Sequence, residues 1–120
     1  TLEPTSPLRT PETIDACVRR ARELDADALV TVSETREVLG HLDGDLFVPL
    51  QPGQPRRRQL RAPLYREAGT AYVTRTRHLR ATGSVLADTL YAVVVPEQEA
   101  IDVNGPLDLI VARASAEAGT

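Results

Sequence analysis

Methionine, tryptophan and lysine are absent from this chain, and cysteine occurs once, at Cys17. A lone cysteine cannot form an internal disulfide, so a reducing, cytoplasmic compartment is the expected setting. Cys17 lies on the apolar face of a predicted helix, with no neighbour to lower its pKa, and is expected to be buried and structural. No apolar run reaches the roughly 20 residues that a membrane span needs, and no basic stretch followed by an apolar block opens the chain. No membrane partner is therefore expected. The formal net charge is −3, which offers no positive field for nucleic acid. All 14 basic residues are arginine. With abundant Ala, Leu, Val and Pro, that bias points to a GC-rich bacterial coding sequence and says more about codons than about mechanism. There is no Gly-rich phosphate loop and no Ser/His/Asp arrangement. His41 and His78 are not spaced as joint metal ligands and are expected at the surface.

What is present fits one globular domain, or part of one: 120 residues, 42% of them apolar. Pro4 and Pro7 make Thr1 to Arg9 a strand end followed by a loop. Thr10-Pro11-Glu12 is a helix start with a cap, a first-turn proline and an acid at the positive end. Ile14, Cys17, Val18, Ala21 and Leu24 follow at helical spacing, so the helix should end near Leu24. Ala28 to Ser33 reads as a buried strand. His41 to Pro49 suits a hairpin around Asp43-Gly44. Gln51 to Pro63, with three prolines and Arg56-Arg57-Arg58, reads as a loop or extended arm. A strand centred on Ala71-Tyr72-Val73, a short helix over Arg75 to Ala81 and a buried strand over Leu90 to Val95 come next. The last helix spans Pro106 to Glu117, with Leu107, Ile110, Val111 and Ala114 expected to face inward. Helices alternating with buried strands argue for an α/β layer architecture.

The opening Leu2-Glu3-Pro4-Thr5-Ser6-Pro7-Leu8-Arg9 resembles the L-Q-P-T-S-P-L-R signature of the acylneuraminate cytidylyltransferases, which make CMP-sialic acids and related CMP-nonulosonic acids. Two prolines stiffen a loop just beyond a strand end, where open α/β sheets bind ligands. Further matches follow in order. Arg56-Arg57-Arg58-Gln59 and Tyr65-Arg66-Glu67-Ala68-Gly69 resemble the family's arginine-bearing arm and its R-x-N-G-A strand start. Tyr72 to Leu79 continues that match. Ile101-Asp102-Val103-Asn104-Gly105-Pro106-Leu107-Asp108-Leu109 resembles I-D-I-D-T-P-x-D-L.

The resemblance implies a three-layer, mixed-sheet, Rossmann-like nucleotide-diphospho-sugar transferase fold. This chain would be its carboxy-terminal portion, lacking the amino-terminal strands. It implies transfer of CMP from CTP to a sialic-acid-like nonulosonic acid with release of pyrophosphate. It further implies a Mg²⁺ cofactor and a homodimer formed through an arm at about residues 34–63. In the family two acids separated by one residue, which along a strand share a face, serve the metal site. Asp102 fits the first position, as metal ligand and catalytic residue, and Asn104 stands at the second. Arg58 and Arg66 are the expected partners of a carboxylate or phosphate. Tyr72 is expected in the sugar-pocket wall or the core. Glu3 stands where the family has Gln near its substrates, Ala68 replaces the Asn of N-G-A, and Thr70 replaces its Ala. The family's A-R-x-G-S-K-type triphosphate loop is not in this sequence. Those departures favour a degenerate, non-catalytic paralogue as the first alternative; a related nucleotidyltransferase using another nucleotide or a different sugar acid, and a dimerisation half-domain, are the others.

Overall fold

The computed structural model describes residues 1–119 of the 120-residue chain. It is an α/β fold with a mixed sheet, and it divides into two compact units. One comprises Thr1–Ser33 with Glu67–Thr120, the other Glu34–Arg66.

In the larger unit, α1 spans Pro11–Glu23. The sequence sets both of its ends. Thr10 caps the start by accepting the Thr13 N–H at 3.2 Å, and Pro11 takes the first turn, where its missing N–H costs nothing. At the other end Asp25 takes φ 50°, a left-handed position where glycine is usual. The Asp25 and Ala26 N–H groups close back on the Arg22 and Ala21 carbonyls, at 3.1 and 2.9 Å. Arg75 holds the Asp25 carboxylate in this unfavourable turn by an ion pair and approaches Asp27 at 3.4 Å.

Strand β1, Ala28–Thr35, is buried over most of its length and lies in the middle of the sheet. β4, Leu64–Thr74, and β5, Leu90–Val94, flank it. β5 runs parallel to β1, pairing Ala28 with Leu90 through Val32 with Val94. The core is built of small residues: Cys17, Ala21 and Ala26 pack with Leu29 and Ala71, and a second cluster joins Ala68, Val95 and Ala100. Cys17 is fully buried, as expected, and burial pushes its thiol pKa up, with the Glu99 charge adding to the effect. Between β4 and β5 lies the short helix α2, Thr76–Thr82, stopped by Gly83 at φ 70°. The closing helix, α3, spans Pro106–Ala118. Asp108 caps it by accepting the Asn104 and Gly105 N–H groups at 3.0 and 2.9 Å.

Two expectations about burial fail. On α3 the expected inner face is open: Leu107 is 71% exposed, Ile110 63%, Val111 45%, and Ala114 is also exposed, while Ala112 is the buried residue. Strand β5 is not buried either. It is a sheet edge with one hydrogen-bonded neighbour, and only Val95, just past its end, is buried. An apolar period shows which face of an element prefers cover. It does not show that an element exists to supply it.

The smaller unit carries the hairpin of β2, Gly40–Asp43, and β3, Leu46–Pro49. The pairing runs from Gly40 with Pro49 to Asp43 with Leu46, leaving Gly44-Asp45 as the two-residue turn. Gly44 has φ 59° and Asp45 does not have positive φ, the pattern of a turn with glycine in its first central position. A Cβ on Gly40 would collide with the Val48 carbonyl of the paired strand and lie 2.7 Å from the Phe47 ring, so the glycine lets both the strand and the aromatic approach. Leu42, Leu46, Phe47 and Leu50 are nonetheless mostly exposed.

Candidate functional site

The opening loop is tied to two other segments of the larger unit. Thr1 and Tyr72 exchange both backbone hydrogen bonds, at 2.7 and 2.9 Å, as an antiparallel pair does. Thr5 accepts the Val103 N–H at 2.8 Å. The loop turns at Ser6, whose N–H reaches the Glu3 carbonyl at 3.3 Å. The Arg9 guanidinium clamps the same turn, donating to the Ser6 carbonyl at 3.0 Å and to the Glu3 carbonyl. Ser6 is buried against Gly69, where a Cβ would come within 3.1 Å of its hydroxyl oxygen. The proline-stiffened loop thus brings Glu3 and Thr5 to β4 and to the Asp102 segment.

Four of the residues singled out from the sequence belong to this neighbourhood: Glu3, Tyr72, Asp102 and Asn104. The Tyr72 hydroxyl donates to Glu67 Oε1 at 2.9 Å. Its pKa is pushed up to about 12, first by desolvation, then by the Glu67 hydrogen bond and charge, with the Glu3 and Asp102 charges adding. The Asp102 carboxyl is held below the usual carboxylate range by hydrogen bonding from Thr5 and, second, from Asn104. The Asn104 amide nitrogen meets Asp102 Oδ2 at 2.7 Å. Asp102 Oδ1 is buried and has no hydrogen-bond partner. Arg58 and Arg66 lie in the smaller unit, both exposed, Arg58 opening the 3-10 turn Arg58–Leu60. His41 is exposed, and the His78 ring Nε2 lies 2.9 Å from the Leu86 carbonyl.

Sequence reasoning missed Glu67 and Thr5. A regular strand alternates faces, so Glu67 and Tyr72, an odd number of residues apart, should point to opposite sides. The alternation breaks between them. Ala68 and Thr70 are buried, and so is the next residue, Ala71. That change of phase puts Glu67 and Tyr72 on the same side, where they meet. Thr5 carried a signal, since a hydroxyl stood inside the best-matched motif, but nothing in the sequence said which acid it would serve.

The donor set bears on a metal. Among the described residues no three His, Cys, Asp or Glu side chains converge as a cation cage. Mg²⁺ bound through one or two carboxylates and substrate phosphates does not need one. The buried Oδ1 of Asp102 is a suitable ligand atom, and the charges of Asp102, Glu3 and Glu67 all reach the neighbouring Tyr72 hydroxyl. Asn104 points its amide nitrogen at Asp102, so in this conformation it steadies the carboxylate and does not share a ligand position with it.

No protein-family model matches the chain, and no curated protein matches it. No helix among the described residues is long and apolar enough to cross a membrane.

The tyrosine gives a pH-dependent expectation. Its folded pKa lies above the ordinary value of 10.0. The folded state therefore holds this proton more tightly, and the stability so gained is lost as pH rises from 10.0 through about 12. In an ultraviolet titration Tyr72 should ionise at about 12, above the ordinary tyrosine value, and Tyr72→Phe should remove that step. A profile in which the variant instead loses a step near pH 10.0 would contradict the desolvated, Glu67-bonded setting of the hydroxyl.

Proposed function

We propose that this chain is the carboxy-terminal portion of a nucleotidyltransferase of the acylneuraminate cytidylyltransferase type, with that family's three-layer, Rossmann-like fold. What supports the reading is one convergence. Two of the segments resembling family motifs, the Leu2–Arg9 loop and the Asp102-Asn104 segment, lie together with Tyr72 of β4.

In this reading the anomeric hydroxyl of a nonulosonic acid attacks the α-phosphorus of CTP. The new O–P bond forms as the bond to the β-phosphate oxygen breaks, pyrophosphate departs, and the hydroxyl proton goes to solvent. The charges of Glu3, Glu67 and Asp102 all act on Tyr72, and phosphates brought there are repelled unless a cation offsets that charge. Mg²⁺, held by Asp102 and phosphate oxygens, would supply that charge neutralisation. The other groups have roles that their protonation states permit. Tyr72 keeps its proton at neutral pH, so it donates a hydrogen bond and orients; it is not a base. Glu3 and Glu67 accept from sugar hydroxyls. Arg58 and Arg66 receive a carboxylate or phosphate. Asn104 and Thr5 fix the Asp102 rotamer. Catalysis is then positioning and electrostatics.

Homodimer formation through the smaller unit belongs to the same reading. Leu42, Leu46, Phe47 and Leu50 form the kind of exposed apolar surface that a partner covers, and sedimentation across a concentration series tests this. The enzyme reading is tested by pyrophosphate release in the presence of CTP, Mg²⁺ and a set of nonulosonic acids. The assay covers this chain and the longest product of its reading frame. Release with one sugar acid supports the reading. Silence from folded protein with every sugar acid removes it and favours the degenerate paralogue.

A further inference from the structure

Within the smaller unit, one arginine is spent on main-chain carbonyls. Arg61 donates from Nε to the Pro55 carbonyl at 2.8 Å, from Nη2 to the Arg56 carbonyl at 2.6 Å, and from Nη1 to the Arg36 carbonyl at 2.9 Å. Arg36 returns the contact, donating to the Arg61 carbonyl at 2.6 Å, while Glu34 at 2.9 Å offsets its charge. The guanidinium fork thereby closes the segment 55–61 on itself. Inside that closure the Leu60 and Arg61 N–H groups bond back to Arg57 and Arg58, at 3.0 and 3.2 Å. Arg56, Arg57 and Arg58 project from it, exposed, with no side-chain partner among the described residues. Composition alone would make Arg61 a fourth solvated charge of the same run, but its donors are already engaged.

We propose that Arg61 is a positioning residue that preforms the 55–61 loop, so that Arg58, with Arg56 and Arg57 beside it, receives an anionic oxygen group without first paying to order the backbone. Ordering a loop on binding costs affinity, and a loop ordered beforehand keeps it. The proposal rests on the reading that Arg58 binds a carboxylate or phosphate. It adds a division of labour: three arginines supply charge, and the fourth supplies shape. Lysine cannot substitute for Arg61, because a single ammonium cannot span three carbonyls as the planar fork does.

The test uses inorganic pyrophosphate as the probe, titrated into this chain at low salt. Arg58→Gln and Arg61→Lys are measured beside the wild type. Arg61→Lys should weaken binding about tenfold although net charge is unchanged, and Arg58→Gln should weaken it at least as much. Wild-type affinity in Arg61→Lys, with Arg58→Gln weakened, overturns the positioning role alone. Wild-type affinity in Arg58→Gln, or no binding by the wild type, overturns the underlying reading of Arg58 and the proposal with it. Amide hydrogen exchange on the unmutated protein gives a check that no folding defect can obscure. The Leu60 and Arg61 amides should be protected before pyrophosphate is added; protection that appears only afterwards overturns the proposal.

Discussion

Thr31→Val should lower the free energy of unfolding by about 3 kcal/mol, although valine matches threonine in shape and is the more apolar. Thr31 is fully buried in β1. Its hydroxyl donates to the Ala68 carbonyl at 2.5 Å and accepts the Ala71 N–H at 3.2 Å. One side-chain group thus satisfies a main-chain acceptor and a main-chain donor at the point where β4 changes phase. Valine leaves both unpaired in the core. Each such group costs about 1–3 kcal/mol, against which the added methyl recovers about 1 kcal/mol. Urea unfolding followed by circular dichroism measures the difference. Thr70→Val is the control: its hydroxyl donates only to the Glu99 carbonyl, at 2.8 Å, and the expected loss is about 1 kcal/mol. Equal losses in the two variants would mean that Thr31 does not hold the irregularity. The variant also carries a consequence for the site. If β4 relaxes to regular alternation, Glu67 and Tyr72 part, and the Tyr72 pKa returns toward 10.0.

That hydroxyl also marks where sequence reading stops. Elements with local causes were legible. Thr10-Pro11-Glu12 started α1 and Pro106 opened α3, because caps and first-turn prolines act within a few residues; the hairpin formed where expected, but it turns on Gly44-Asp45, with Asp43 still paired to Leu46, one residue on from the Asp43-Gly44 turn the sequence suggested. The buried Cys17 followed from the helical period. Features that depend on partners distant in sequence were not legible. Alternation along β4 predicts the wrong relation between Glu67 and Tyr72, because Thr31, some 40 residues upstream, interrupts the ladder. The run Arg56-Arg57-Arg58 looked alike in composition to Arg61, yet only Arg61 finds carbonyls to hold. The apolar stripe of α3 predicted burial correctly as a preference and wrongly as a fact, since nothing among the described residues covers it. At the site, the ordered motifs pointed to Glu3, Tyr72, Asp102 and Asn104. The sequence did not show that Asn104 would turn its nitrogen toward Asp102, because an amide can offer either end.

If the proposed cytidylyltransferase reading holds, Asp102→Asn should reduce pyrophosphate release by about 100-fold or more, the scale seen when one electrostatic contact to a transition state is removed. The change is nearly isosteric, so it separates charge from shape. The wild-type carboxylate has Asn104 on Oδ2 and a buried, unpaired Oδ1. An asparagine at 102 keeps the outline but brings no charge to the cation or the phosphates, and it can set an amide N–H where Oδ1 was. The same substitution has a signature independent of turnover. Hydrogen bonds from Thr5 and Asn104 lower the folded pKa of Asp102, so its contribution to stability is present above the unfolded value of 3.8 and lost as pH falls through the folded one. The variant should therefore lose part of the acid sensitivity of unfolding whether or not the chain is an enzyme. Full turnover in Asp102→Asn would remove the residue from the chemistry. Lost turnover with wild-type binding of Mg²⁺ and CTP would place its effect after substrate binding. Lost turnover with weakened Mg²⁺ binding is the expected result, because the carboxylate is the one charged ligand assigned to the cation.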